Sequence, residues 1–296
     1  MEILFLGTSS MVPTKERNQS GLLVSHGSEN ILVDCGEGTQ RQLKIAGIKL
    51  VKISKILISH WHGDHVLGIP GLIQTMSSSD YDKKLRIYGP AGTKKFMKKM
   101  FEAFVFDKKI DIEVKEIKKG KFFESDELVL EAQLLEHNVT TLGFNILEKD
   151  KRKIDLASIK NLGIPKGPLL GELQDGKSIV WKGKKIRPDE ATVLVKGKKL
   201  TIISDTLPCN GSYLLAKDAD LLVCESTYAS DLESKGEEHG HMTSKQAAEL
   251  ANRAGVKRLV LTHFSARYKD TNKLEEDAKD YFYNVSCAED FMKIVL

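Results

Sequence analysis

The six residues His60-Trp61-His62-Gly63-Asp64-His65 hold three imidazoles and a carboxylate. Imidazole nitrogens suit zinc and its first-row neighbours, and a carboxylate offsets the charge of a bound cation. A lone histidine at a strand end is commonly structural, but four ligand types in one short turn exceed what packing or solvation requires. The preceding Ile56-Leu57-Ile58 reads as a buried strand, so His60 emerges where strand gives way to loop, the place where ligands and catalytic groups gather in such sheets. Gly63 permits a tight turn between His62 and Asp64.

Other apolar runs end on the same residue types. ILVD closes on Asp34, LVLEAQLLEH on His137, LTIISD on Asp205 and RLVLTH on His263. Five of the eight histidines fall in these positions. His60, His62, Asp64, His65, His137, Asp205 and His263 are too many ligands for one four-coordinate ion. They suit two ions sharing a carboxylate, with a bridging water between them. Such a pair lowers the pKa of the water and polarises the scissile group, so the expected chemistry is hydrolysis.

The elements that must position these residues follow from periodicity. Strands are expected at residues 2–8, 21–25, 30–36, 55–60, 86–89, 111–117, 128–137, 141–148, 200–206, 221–227 and 258–264. Helices are expected around 37–46, after Gly71, and over 93–103 and 244–254. The alternation argues for an α/β fold with a layered, largely β core. Residues 150–187 break the pattern with prolines, glycines and only weak periodicity near Leu156 to Leu162. Long irregular insertions in compact domains are usually functional. The expectation is one metallo-hydrolase domain over residues 1–296, with an inserted arm at 150–187.

Bulk properties bound the reading further. The chain has 296 residues, 41% hydrophobic and 29% charged, with a formal charge of +4, ample for a substantial core. No run of about eighteen apolar residues is present, which excludes a transmembrane helix. MEILFLGTSS lacks the basic flank of a secretory signal, so a cytoplasmic protein is expected. Cys35, Cys209, Cys224 and Cys287 have no CxxC spacing, and no disulfide is expected. Between Lys149 and Lys199, basic residues exceed acidic ones roughly two to one, a bias that attracts polyanions.

The order Asp34, His60-Trp61-His62-Gly63-Asp64-His65, His137, Asp205, His263 resembles the metallo-β-lactamase superfamily. This resemblance implies a four-layer αββα sandwich with a dinuclear site at one edge of its sheets. Finer matches point to its ribonuclease Z family. PTKERN (residues 13–18) resembles the family's PxKxRN loop, and LVDCGEGTQ (32–40) its first metal-fold motif. CEST (224–227) resembles HEAT, with Cys and Ser in place of His and Ala. His241-Met242-Thr243 matches HxT, and THFSARY (262–268) the final metal motif. The matches run in order from about Leu4 to Tyr268. Trp61 departs from the smaller aliphatic residue usual at its position.

The resemblance implies roles as well. One zinc would be held by His60, His62, His137 and Asp205, the second by Asp64, His65, Asp205 and His263, with manganese or iron also compatible. Asp64 would deprotonate the water. His241 would protonate the departing 3′-oxygen, with Glu225 holding its other nitrogen. Asp34 would hydrogen-bond a ligand imidazole from outside the ligand set. Thr243 suits the N-cap of the following helix, with Gln246 completing a capping box. The implied substrate is precursor tRNA, cut 3′ of the discriminator base to leave a tRNA 3′-hydroxyl and a trailer 5′-phosphate. The arm would clasp the tRNA elbow, with Lys149, Lys151, Arg152 and Lys153 on phosphates. Lys15, Arg17, Asn18 and Arg267 would lie near the acceptor end. The family is commonly homodimeric. Two other readings fit the metal motif: a small-molecule phosphodiesterase or arylsulfatase-like hydrolase, and a non-catalytic RNA-binding scaffold. The basic arm disfavours the first, and the complete ligand set the second.

Overall fold

A computed structural model describes residues 1–105 and 109–296. In chain order, β1 (Glu2–Gly7), β2 (Gly21–His26), β3 (Glu29–Val33), β4 (Lys55–Leu57), β5 (Lys84–Gly89) and β6 (Asp111–Glu116) form most of a first sheet. β7 (Gly120–Glu124), β8 (Leu128–Leu135) and β9 (Thr141–Glu148) begin a second. β10 (Lys151–Ile154), β11 (Ile179–Trp181), β12 (Lys184–Ile186) and β13 (Thr192–Val195) belong to an excursion between them. β14 (Lys199–Ile203), β15 (Leu221–Glu225), β16 (Leu259–Thr262) and β17 (Val285–Cys287) complete the second sheet, and β18 (Lys293–Val295) returns to the first. The sheet orders are β18-β1-β2-β3-β4-β5-β6 and β17-β16-β15-β14-β9-β8-β7.

Period-2 alternation builds the layers. Ile3, Phe5, Ile31 and Val33 point one way, into a cluster shared with Leu130, Phe144, Ile202 and Val223 of the opposite sheet. Leu4, Leu6 and Leu32 point the other way, onto Leu43, Leu72, Ile73 and Met97 from helices Thr39–Ile45, Ile69–Ser77 and Thr93–Glu102. Ile203, Leu222 and Leu261 likewise meet Leu215, Ala247, Ala251 and Leu274 from helices Asn210–Ala216, Ser244–Arg253 and Asn272–Lys279. The result is helix, sheet, sheet, helix. Strands buried on both faces account for near-continuous apolar runs such as ILFL and LLV.

Strand direction fixes where the loops gather. β3, β4 and β5 are parallel, as are β14, β15 and β16. β8 runs antiparallel to β9, which runs antiparallel to β14, so β8 shares the direction of β14. The C-terminal ends of β8, β14, β15 and β16 therefore lie on one edge.

Several local expectations need correction. The helix placed after Gly71 starts at Ile69, with Pro70 in its first turn, where a missing N–H costs nothing. β8 stops at Leu135, so His137 stands two residues beyond it, after a bridge of Glu136 to Leu207. The insertion is not irregular. β10 pairs with β13 and β11 with β12, around a core of its own made by Ile159, Ile164, Leu173, Ile179, Ile186 and Ala191. It therefore extends to Val195 rather than ending at Arg187.

Candidate metal centre

Asp34 directly follows β3, His60 to His65 follow β4, His137 follows β8, Asp205 follows β14 and His263 follows β16. Short connections at one sheet edge thus bring distant ligands together. Two of them adopt left-handed backbone, Asp34 at φ 57° and His263 at φ 63°, a costly conformation for residues with a Cβ and one that gathers at functional sites.

Two donor groups form. His60, His62, His137 and Asp205 make one, and Asp64, His65, Asp205 and His263 the other; within each, donor atoms lie within 4.8 Å of one another. Asp205 divides between them. Its Oδ2 is 3.6 Å from His60 Nε2 and 4.0 Å from His137 Nε2, while its Oδ1 is 3.4 Å from His65 Nε2 and 3.2 Å from His263 Nε2. Asp64 Oδ2 is 3.4 Å from both His65 Nε2 and His263 Nε2, and His62 Nδ1 is 3.3 Å from His137 Nε2. Donors 2.0–2.1 Å from a shared tetrahedral centre lie ~3.3 Å apart. Most of these separations match that edge length.

The outer atoms of the imidazoles are fixed. His65 Nδ1 is 2.8 Å from Asp34 Oδ2, His137 Nδ1 is 2.8 Å from Gly240 O and His263 Nδ1 is 2.9 Å from Thr227 Oγ1. Asp34 also accepts from the backbone and hydroxyl of Ser59, whose Oγ is 3.0 Å from His60 Nδ1. One carboxylate thereby orients two rings. Gly240 approaches so closely that a Cβ there would lie 2.7 Å from His137 Nδ1, and its φ of 76° favours glycine independently.

The inner atoms lack protein partners. His60 Nε2, His65 Nε2 and Asp64 Oδ1 are buried without a hydrogen bond, a rare condition that calls for a ligand. The electrostatics agree. Burial opposes charge on Asp205, yet His263, His65 and His60 hold it well below the usual carboxylate range. Burial likewise opposes ionisation of Asp64, and His263 and His65 hold it low. Burial disfavours a charged His65, but Asp205 and Asp34 raise it well above its ordinary value. Ionised carboxylates attract positive charge here whether it arrives as protons or as metal. The donor chemistry, the edge lengths and the orphaned atoms all fit a pair of divalent cations.

A second pair adjoins the first. Fully buried Glu225 accepts from His241 Nδ1 at 3.1 Å through Oε1, and from Thr227 Oγ1 at 2.6 Å through Oε2. Burial lowers the pKa of His241, but Glu225 and then Asp205 and Asp64 outweigh it and carry His241 up to about 9. Thr243 caps helix Ser244–Arg253 with Gln246 in a reciprocal capping box, which fixes the chain beside His241.

The remaining sequence candidates fall elsewhere. Arg17 is 7% exposed, and its Nη2 donates to Tyr268 O at 2.6 Å. Asn18 donates through its side chain to Glu37 O at 2.9 Å. Both tie the loop down, whereas Lys15 is exposed. Arg267 lies over the Tyr228 ring at 5.4 Å. At the base of the excursion, Lys149 pairs with Glu124 at 2.6 Å, Lys151 with Glu148 at 2.7 Å and Arg152 with Asp189 at 2.6 Å. These three are engaged within the protein, and only Lys153 of that group lacks an acidic partner among the described residues. Bases without an acidic partner among the described residues gather instead around the β11–β12 turn, where Lys182, Lys184 and Lys185 are exposed and Lys182 lies 5.8 Å from the Trp181 ring. Sequence reasoning missed Ser59 and Thr227 as orienting hydroxyls. Their only signal was adjacency, since Ser59 precedes His60 and Thr227 stands two residues past Glu225.

Two facing sheets with a paired His/Asp edge define a metallo-β-lactamase-fold protein. Residues 182–264 match a family described as Beta-lactamase superfamily domain, and residues 1–144 one described as Anti-Pycsar protein Apyc1. The metallo-beta-lactamase fold protein YhfI from Bacillus subtilis superposes with a TM-score of 0.72 at 20% identity, covering 99% of this chain and 98% of that one, which supports the fold alone. Ribonuclease Z of Archaeoglobus fulgidus is 41% identical over 298 residues, 99% of this chain and 97% of the relative. Human tRNase Z, short form, is 29% identical with a TM-score of 0.74, covering 100% of this chain and 99% of that one. The chain belongs to the ribonuclease Z family.

Proposed function

We propose that the protein is a metal-dependent endoribonuclease that removes 3′ trailers from precursor tRNA, cutting 3′ of the discriminator base. The observation that carries this reading is the complete donor set beside the His241–Glu225 pair, in a chain that matches ribonuclease Z along its whole length. His60, His62, His137 and Asp205 would hold one zinc ion, and Asp64, His65, Asp205 and His263 the second. Manganese or iron would suit the same donors. When bound, such a pair lowers the pKa of water and neutralises charge on a phosphate.

The protein's own groups then manage protons. Asp64 Oδ1, buried and without a partner, is the acceptor for a proton from the attacking water. His241 donates Nδ1–H to Glu225, which leaves Nε2–H free for the departing ribose 3′-oxygen. Cations beside Asp205 and Asp64 would offset those carboxylates and bring His241 down from about 9 toward neutrality, where a general acid works best. The products are a tRNA 3′-hydroxyl and a trailer 5′-phosphate.

The excursion at 151–195 supports a macromolecular substrate. β9 runs away from the ligand edge and β14 returns toward it, so the excursion leaves from the opposite edge of its own sheet. An arm so placed suits a homodimer in which each arm serves the partner's centre, with the basic tip on tRNA phosphates. A cytoplasmic location follows from that substrate. Incubating the protein with a trailer-bearing tRNA precursor, with and without chelator, tests the reading. One chelator-sensitive cut beside the discriminator is expected. Cleavage of small phosphodiesters or sulfates alone would replace it with a small-molecule hydrolase, and binding without any cut with a scaffold.

A further inference from the structure

Trp61 stands between two ligands, yet its side chain turns away from them. Its Nε1 donates to Thr93 Oγ1 at 2.9 Å, and its ring lies 5.1 Å from that of Phe96, tilted by 35°. Phe96 is 41% exposed, unusual for an aromatic residue on a short amphipathic helix. The helix, Thr93–Glu102, follows β5, whose C-terminal end shares the edge with those of β3 and β4, so its first turn lies beside the centre. Lys99 shares the helix face of Phe96 at i+3, Lys95 precedes Phe96 and lies one turn before Lys99, and all three are exposed. Neither has an acidic partner among the described residues, whereas Lys98 reaches Glu102 at 3.8 Å. An aromatic pair edged by unpaired lysines is the chemistry that holds single-stranded nucleic acid: bases stack on rings and phosphates meet ammonium groups.

Direction identifies the strand. His241 and Glu225 come from the layers of the second sheet and mark the side of the departing 3′-oxygen. Trp61 and Phe96 belong to the first sheet and its helices, across His60 and His62. We infer that Trp61 and Phe96, with Lys95 and Lys99, form a shelf that receives the nucleotides of the 3′ trailer beyond the first. This rests on the endonuclease reading above. Trp61, anchored through Thr93, positions the exposed Phe96 ring.

The test compares two precursors with the same tRNA body, one with a single-nucleotide trailer and one with an eight-nucleotide trailer. They are cut by wild type and by the triple variant Phe96→Ala, Lys95→Glu, Lys99→Glu. The long-to-short ratio of kcat/KM should fall about tenfold in the variant, chiefly through KM on the long trailer, with the short-trailer rate kept. An unmoved ratio overturns the shelf, and so does equal loss on both substrates. A variant whose mass in sedimentation drops to that of a monomer would assign the aromatic pair to an interface between copies, which also overturns it. Wild type that cuts neither precursor refutes the endonuclease reading itself, a result separable from the others.

Discussion

The ligand edge and the excursion at 151–195 are built on opposite principles. At the edge, most polar atoms are buried and assigned: Asp34 orients His65 and Ser59, Thr227 links Glu225 to His263, and the unpaired His60 Nε2, His65 Nε2 and Asp64 Oδ1 belong to residues of the two donor groups. In the excursion, a small core of six buried residues supports an exposed hairpin whose lysines have no acidic partner among the described residues. A reaction needs atoms fixed to within fractions of an ångström, so it is built where packing fixes them. Recognition of a nucleic-acid backbone needs charge and reach, so mobile side chains on a modest scaffold suffice. On the endonuclease reading, one region would carry the chemistry and the other the choice of substrate.

Breaking the edge should have the largest effect. Asp205→Ala removes the carboxylate shared by both donor groups, and cleavage of every substrate should fall below detection together with metal content by elemental analysis. Full metal occupancy in that variant would contradict the shared-ligand assignment. His241→Ala should cost about 10²–10⁴ in the single-turnover rate while metal content stays at the wild-type level. Lost metal would make His241 a ligand, consistent with its place beside Glu225 and His263 in a third donor group.

Replacing residues 151–195 by a short linker sharpens the contrast. Affinity for precursor tRNA should drop by about a hundredfold, the scale of a lost second contact, while hydrolysis of a small model phosphodiester is unchanged. Equal losses on both would show the excursion to be part of the catalytic fold. Asp34→Asn keeps the shape but weakens the hold on His65 and Ser59, and metal affinity should fall roughly 10–100-fold, as read by competition with a chelator.

The smallest effect concerns pH. In the metal-free chain His241 is raised from 6.5 to about 9, so its contribution to stability is complete below 6.5 and is lost as pH rises through 9. Tm of chelator-treated protein should decline across that window, and Glu225→Gln, which removes the largest charge partner, should flatten the decline. A decline of the same size in the variant would assign the effect to other groups.

Much of the edge was legible in the sequence because its logic is local. A ligand type just past an apolar run reads the same whether the run is Ile56-Leu57-Ile58 or Leu259-Val260-Leu261-Thr262. A layered, largely β core was legible too, since strands buried on both faces are apolar throughout, whereas the order of the four layers came from the resemblance to the metallo-β-lactamase superfamily. What the sequence hid depends on contacts distant in the chain. Nothing local shows that Arg17 is spent on the Tyr268 carbonyl, or that Lys149 and Arg152 meet acids distant in the chain. The excursion was read as irregular because its strands are three or four residues long and its core is split over some thirty positions. β18 shows only three residues, yet it closes the first sheet against β1. Trp61 was the open question of the ligand motif, and its orientation toward Phe96 makes it a support for a neighbouring surface rather than a wall of the centre.

The chemistry at the new tRNA 3′ end is the most direct test of the central claim. Attack by water with proton transfer from His241 predicts a free 3′-hydroxyl on the tRNA and a 5′-phosphate on the trailer, with both products lost on chelation and restored by zinc. A 2′,3′-cyclic phosphate at the tRNA end would mean attack by the ribose 2′-hydroxyl, and would contradict the account.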